Sequence, residues 1–80
     1  MKIIITRSAS ELVVDNSKEA FERAGFGKFS SGQTVFDPNG YKCVLEGMEG
    51  GFMWYTLEGE AESVYYYPCQ PSDFTAINHS

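Results

Sequence analysis

"GGFMWYTLEGEAESVYYYPCQP", residues 50–71, holds six of the chain's twelve aromatic residues. The same stretch carries three acids and has no Lys or Arg. Two runs rich in aromatic and β-branched residues flank a short polar segment with a glycine, a pattern typical of a β-hairpin. The pattern predicts two antiparallel strands within residues 52–68 that turn through Glu58–Glu60 and end at Pro68.

Side chains along each predicted strand alternate between the two faces of the sheet. A three-residue loop would place Trp54 opposite Val64 and Tyr55 opposite Ser63. The inward-facing set is then Phe52, Trp54, Val64 and Tyr66. The outward-facing set is Met53, Tyr55, Tyr65 and Tyr67. We therefore expect both faces of this hairpin to be apolar or aromatic.

A second hairpin is predicted in "QTVFDPNGYKCVLEG", residues 33–47. Asp-Pro-Asn-Gly, residues 37–40, favours a type I turn followed by a glycine at positive φ. This turn places Val35 opposite Cys43, and with Leu45 these side chains form a predicted inner face.

One short helix is predicted in "DNSKEAFERAGF", over Ser17–Ala24. Asn16 is the expected N-cap, and Gly25 is the expected left-handed residue that ends the helix. Phe26 would then contact Phe21, as in a Schellman motif. A helix of two turns is not stable alone, so it must pack on a sheet.

Together these elements predict one α+β domain over residues 1–80. Its core is a four- to five-stranded antiparallel sheet with one short helix packed on one face, and "KIIITR" is predicted to be one of these strands, at Lys2–Arg7. "PSDFTAINHS" either forms a helical turn after a Ser72 cap or frays. Because one short helix shelters little of a sheet, the outward-facing set is expected to form an exposed aromatic patch rimmed by acids.

Charge is distributed unevenly along the chain. Residues 1–42 carry six basic and five acidic residues, which sum to +1, and residues 43–80 carry six acids and no Lys or Arg, which sum to −6. An acidic surface without a local cation repels nucleic acid and attracts cationic partners. Direct nucleic-acid binding is therefore disfavoured, although aromatic side chains on an open sheet are able to stack on bases.

The sequence offers no motif for catalysis, a metal or a cofactor, which predicts a protein that is not an enzyme. The single histidine, His79, is the second-last residue, so we do not expect it to activate a nucleophile. Cys43 and Cys69 lack zinc-site spacing and are expected to be reduced thiols, although a disulfide between them stays open.

The apolar run at residues 3–5 is too short for a secretion signal, and no stretch is long enough to span a membrane, so we expect a cytoplasmic protein.

Two functional hypotheses follow from the acidic and aromatic second half. In the first, the chain is a protein-binding module that engages a basic surface of a partner. The predicted partner-binding residues are Met53, Tyr55, Glu58, Glu60, Glu62, Tyr65 and Tyr67. The alternative is a non-enzymatic subunit that self-associates, as in a homodimer, through its exposed aromatic sheet face.

The small size, the acidic balance and the capped helix "NSKEAFERAGF" beside an aromatic hairpin resemble the anti-CRISPR proteins that phages use against bacterial defence. The resemblance implies a stoichiometric inhibitor that acts in the host cytoplasm. It further implies a partner such as a CRISPR effector complex, engaged at a nucleic-acid-binding surface.

Overall fold

The two predicted hairpins lie at the centre of one antiparallel sheet. The computed structural model describes residues 3–7, 13–60, 63–67 and 70–77. In chain order its elements are β1 (Ile3–Arg7), α1 (Lys18–Arg23), β2 (Thr34–Phe36), β3 (Lys42–Glu49), β4 (Phe52–Leu57), β5 (Ser63–Tyr67), a 3-10 turn (Pro71–Asp73) and β6 (Thr75–Ala76). The described strands are ordered β1-β5-β4-β3-β2-β6, and every neighbouring pair is antiparallel. The predicted α+β architecture is confirmed, with β6 as a two-residue addition at the edge of a five-stranded sheet.

The turn of the first hairpin has the predicted chemistry. The Gly40 N–H donates to the Asp37 carbonyl at 2.9 Å, and Gly40 has a φ of +87°. A glycine reaches this φ without the steric penalty that a Cβ would bring. Val35 pairs with Cys43 as predicted, and both are completely buried together with Leu45. The predicted inner face of this hairpin is therefore confirmed.

The helix begins one residue later than predicted. Ser17, not Asn16, is the N-cap, and its hydroxyl accepts a hydrogen bond from the Ala20 N–H at 3.2 Å. The Asp15 carboxylate accepts the Ser17 N–H at 3.0 Å, which shapes the chain just before the helix. Since both Asn and Ser are good N-caps, this neighbouring contact, and not intrinsic preference, selects the start of the helix.

The helix ends in the predicted Schellman motif. The Phe26 N–H donates to the Phe21 carbonyl at 2.7 Å, and the Gly25 N–H donates to the Glu22 carbonyl at 3.1 Å. Gly25 has a φ of +86°, the left-handed conformation that this motif requires. Phe21 and Phe26 are both buried in the same core cluster, so the end of the helix also directs the following loop onto the sheet.

The second hairpin differs from its predicted register by one residue. Tyr55 pairs with Val64 instead of Ser63, and Trp54 pairs with Tyr65 instead of Val64. The Glu60 N–H donates to the Leu57 carbonyl at 2.9 Å, so a tight turn forms near β4 and the connection to β5 is longer than the predicted loop. A slip of one residue moves a strand's side chains to opposite faces. The predicted faces of the β4 residues are therefore reversed, whereas Val64 lies on the inner face and Tyr65 on the outer face, as predicted.

Met53 and Tyr55 lie on the inner face of the sheet and are completely buried, which contradicts their predicted exposure. The physical reason is that α1 does not cover this face alone. Three phenylalanines from the loop after α1 and from the C-terminal segment also cover it: Phe26, Phe29 and Phe74. The rings of Phe26 and Phe74 meet edge to face with centroids 5.7 Å apart, and Phe74 contacts the Tyr55 ring at 5.3 Å.

The C-terminal segment is ordered by turn chemistry and strand pairing. Gln70, and not the predicted Ser72, precedes the 3-10 turn, and its N–H donates to the Asp73 carboxylate at 2.9 Å. The chain then pairs with β2, with Ala76 opposite Val35. This pairing fixes Phe74 over the inner face of the sheet.

The outer face of β4 has its own buried residue. Trp54 is only 1% exposed, and its indole N–H donates to the Glu49 carbonyl at 3.1 Å. A β-bulge after Leu45 sets Gly47 opposite Trp54. Val14 passes close above Gly47, because a Cβ there would lie 2.9 Å from Val14 Cγ2. The absent side chain of Gly47 thus lets the chain before α1 approach the sheet.

We expect Gly47→Ala to lower the free energy of unfolding by roughly 1–3 kcal/mol, since overpacking a filled site forces the backbone to shift. The added Cβ would lie 2.8 Å from the Asp15 carbonyl oxygen, an atom that is fixed by pairing with Met48. Urea denaturation followed by tryptophan fluorescence measures the change.

Gly27→Ala is the matched control. A Cβ at Gly27 meets the Glu22 side chain at an ordinary 3.6 Å, so this variant should unfold close to the wild-type midpoint. Equal stability of the two variants would contradict the close approach at Gly47.

Candidate functional site

The structure does not place the predicted partner-binding residues that it describes on one surface. Met53 and Tyr55 are core residues that a partner does not reach in this conformation. Glu62 and the side chain of Tyr67 lie outside the described residues. Three predicted residues therefore remain as candidates for contact with a partner: Glu58, Glu60 and Tyr65.

Tyr65 is half-buried on the outer face of the sheet, where it packs against two other aromatic side chains. Its ring stacks on Phe52 with centroids 4.4 Å apart and planes at 18°. It also meets the Trp54 ring edge to face at 4.5 Å. Such pairs stabilise the sheet beyond the area that they bury. Tyr65 thus has a structural role in addition to any role in binding.

Glu58 and Glu60 project from the turn after β4, and both are exposed. Gly59, between them, has a φ of +88°, which a type II turn requires at its third position. The turn holds both carboxyl groups at one end of the sheet. Their placement on a tight turn, and not on a long mobile loop, confines where the negative charge lies.

A groove of about 490 Å³ lies beside this turn, and we call it the acidic groove. It is lined by Tyr41, Lys42, Leu57, Glu58 and Glu60. Sheet pairing joins its two walls, because β3 and β4 run side by side with Cys43 opposite Leu57. The Tyr41 side chain is 60% exposed, the largest exposure among the aromatic residues described as exposed.

Sequence reasoning missed Tyr41 because it lies outside the aromatic stretch at residues 50–71. The available signal was its position between the Asp-Pro-Asn-Gly turn and the start of the returning strand β3. Only the pairing of β3 with β4 brings this residue next to the turn acids.

The expectation that the acids of the second half lack a local cation is wrong for Glu58, because Lys42 lies beside it. Its ammonium lies 3.9 Å from a Glu58 carboxylate oxygen, and the two side chains are 51% and 66% exposed. An exposed pair of this kind contributes little to stability. Lys42 therefore lowers the net negative charge of the groove without locking Glu58 in place.

The buried Asp37 is hydrogen-bonded to Tyr41, which lines the acidic groove. It is only 3% exposed, and its Oδ1 accepts the Asn39 N–H at 2.9 Å and the Tyr41 N–H at 2.7 Å. Its Oδ2 accepts the Tyr55 hydroxyl at 3.2 Å. Buried carboxyl groups need such partners. These bonds hold the backbone of Tyr41 and connect the turn to the core.

Cys43 is a free, buried thiol near Asp37. Burial, together with the nearby Asp37 charge, raises the pKa of the Cys43 thiol from 9.0 to about 12. Because the thiolate is the reactive form, this environment opposes nucleophilic or metal-binding chemistry. Cys69 lies outside the described residues.

Two further features bear on the kind of site. Within the described ranges, no group of three or more His, Cys, Asp or Glu residues is arranged to hold a metal ion. None of the helical segments in that part of the chain has the length and apolar character needed to cross a membrane.

No protein-family model, curated protein or solved structure matches this chain. The resemblance to anti-CRISPR proteins therefore stays a prediction. The function has to be argued from the geometry of the acidic groove and from charge.

We expect Tyr55→Phe to lower the free energy of unfolding by roughly 1–3 kcal/mol, because it removes a hydrogen bond from a buried carboxyl oxygen. Tyr41→Phe removes a hydroxyl oxygen from an exposed ring and should leave the free energy of unfolding nearly unchanged. Urea denaturation compares the two. A wild-type midpoint for Tyr55→Phe would show that the bond to Asp37 is not needed.

We expect Cys43 to resist a thiol reagent in the folded protein. In a Cys69→Ser background, its labelling should be slow at pH 8 and should accelerate as urea opens the fold. Because its pKa is raised on folding, the stability that the neutral thiol contributes is complete below pH 9 and is lost between pH 9 and about 12. Labelling of the native protein as fast as of the unfolded chain would contradict this burial.

Proposed function

We propose that this chain is a non-enzymatic, protein-binding module that engages a basic surface of a partner through the acidic groove. The observation that supports it most directly is the pair of exposed carboxyl groups, Glu58 and Glu60, on a fixed turn beside the exposed ring of Tyr41. Exposed tyrosines frequently serve as anchors at protein interfaces. Carboxyl groups around such an anchor accelerate association with cationic partners.

The charge of the whole molecule supports the same proposal. The net charge of −5 disfavours direct binding to nucleic acid, because phosphates need Lys and Arg to neutralise them. A surface that itself binds nucleic acid is basic, so it is complementary to this groove. An inhibitor that occupies such a surface, for example on a CRISPR effector complex, is the form of the function that the resemblance implies.

Self-association through an outward aromatic face has less support. Two of the four residues expected to form that face, Met53 and Tyr55, belong to the core. A third, Tyr65, already packs against neighbouring rings.

The proposal is tested by reversing charge at the groove. We expect the variant Glu58→Lys, Glu60→Lys to fold normally, because both side chains are exposed. Proteins captured from bacterial lysate by the wild-type chain should be lost with this variant. For a captured partner, the association rate at low ionic strength should fall roughly tenfold, and added salt should reduce the difference.

Glu19→Lys, Glu22→Lys is the matched control, because it makes the same change in net charge at exposed positions on α1. It should retain capture and most of the association rate. Equal losses for both variants would mean that only net charge matters, and capture by the groove variant at wild-type rates would refute the proposed site.

A further inference from the structure

We propose that the acidic groove binds one arginine side chain of the partner, with its guanidinium between the Tyr41 ring and the carboxyl groups of Glu58 and Glu60. This inference rests on the proposed function and names the chemical group that the groove recognises.

The lining of the acidic groove corresponds to the parts of an arginine side chain. The exposed ring of Tyr41 offers a face for a cation, an interaction that Arg makes more often than Lys. Leu57 is partly buried against the core and gives an apolar wall for the methylene stem. Glu58 and Glu60 supply carboxyl oxygens, which a planar guanidinium binds with two parallel hydrogen bonds.

Lys42 places one cation of the chain itself beside these carboxyl groups. Its ammonium already lies 3.9 Å from a Glu58 oxygen, so the groove holds a positively charged group from its own chain. The pair is exposed on both sides and is therefore weak. A guanidinium forms a stronger, bidentate contact with a carboxylate than an ammonium does, so an incoming arginine is able to displace Lys42.

The size and position of the acidic groove suit a single side chain. At about 490 Å³, it lies within the usual range for ligand sites and has room for an extended arginine. The groove is also held from within, since the Tyr41 N–H is bonded to the buried Asp37 carboxyl group.

The test uses the full chain and three capped tripeptides, Gly-Arg-Gly, Gly-Lys-Gly and Gly-citrulline-Gly. Citrulline has the shape of arginine without its charge. In an NMR titration at low ionic strength, Gly-Arg-Gly should shift the amide signals of residues 41–42 and 57–60. Its affinity should exceed that of Gly-Lys-Gly severalfold and that of the citrulline peptide by about tenfold or more.

Variants separate the contributions of the groove residues. Tyr41→Phe keeps the ring and should retain binding, and Tyr41→Leu should weaken Gly-Arg-Gly binding about threefold to tenfold. Lys42→Gln removes the competing ammonium and should strengthen binding. Unchanged core amide signals confirm folding of each variant, and Val13→Ala serves as a control for loss of exposed apolar area elsewhere.

The outcomes distinguish this inference from the proposed function. Equal affinities for arginine and citrulline peptides, shifts located outside the groove, or wild-type binding by Tyr41→Leu would overturn the arginine site. If any of these results accompanies loss of partner capture on reversing Glu58 and Glu60, the proposed function stands without it. If arginine binds as expected but capture does not depend on those acids, the groove recognises arginine and the proposed partner interaction is wrong.

Discussion

The buried carboxyl group of Asp37 is the contact on which the rest of the structure depends. It accepts hydrogen bonds from the backbone of Asn39 and Tyr41 and from the Tyr55 hydroxyl. The first two bonds set the turn between β2 and β3, and the turn in turn sets the register that buries Val35 against Cys43. The third ties this turn to β4. One side chain thus joins the turn between β2 and β3 to β4, and a neutral residue of similar shape would lose part of this bonding.

The same carboxyl group connects the fold with the candidate site. Tyr41 lines the acidic groove, and the bond from its N–H to Asp37 holds its backbone in place. Asp37 also accepts the Tyr55 hydroxyl, and the Tyr55 ring contacts Phe74, so the residue that holds Tyr41 is itself bonded to the core. A rigid support of this kind reduces the entropy lost when a partner binds. The exposed Tyr41 and the buried core are therefore connected through Asp37.

Local chemistry explains what was predictable from the sequence. Asp-Pro-Asn-Gly defines its turn within four residues, and Gly25 defines the end of α1 through bonds to the preceding turn. The start of α1 was predicted one residue early, since two adjacent good caps compete and the outcome depends on Asp15. Where the determinants lie within a few residues, prediction and structure agree to within one position.

The register of the second hairpin was predicted wrongly because the sequence gives little indication of how its two strands align. Its length and type were predictable, but the loop that fixes its register has no strong turn signature, and a difference of one residue reverses the faces. The burial of Tyr55 depends on Phe74, a residue in a segment expected to fray or form a helical turn. The acidic groove was predictable only in part. Glu58 and Glu60 were identified from charge, whereas Tyr41 and Lys42 are brought beside them by the pairing of β3 with β4.

The order of the strands has a consequence for the order in which the sheet forms. β1 precedes both hairpins in the sequence, yet it pairs with β5, and Ile3 lies opposite Tyr67. The two hairpins at the centre require only short loops and are able to form earlier, because loop closure costs more entropy as the intervening chain lengthens. The centre of the sheet is therefore expected to form first, and β1 to pair only after β5 has joined β4.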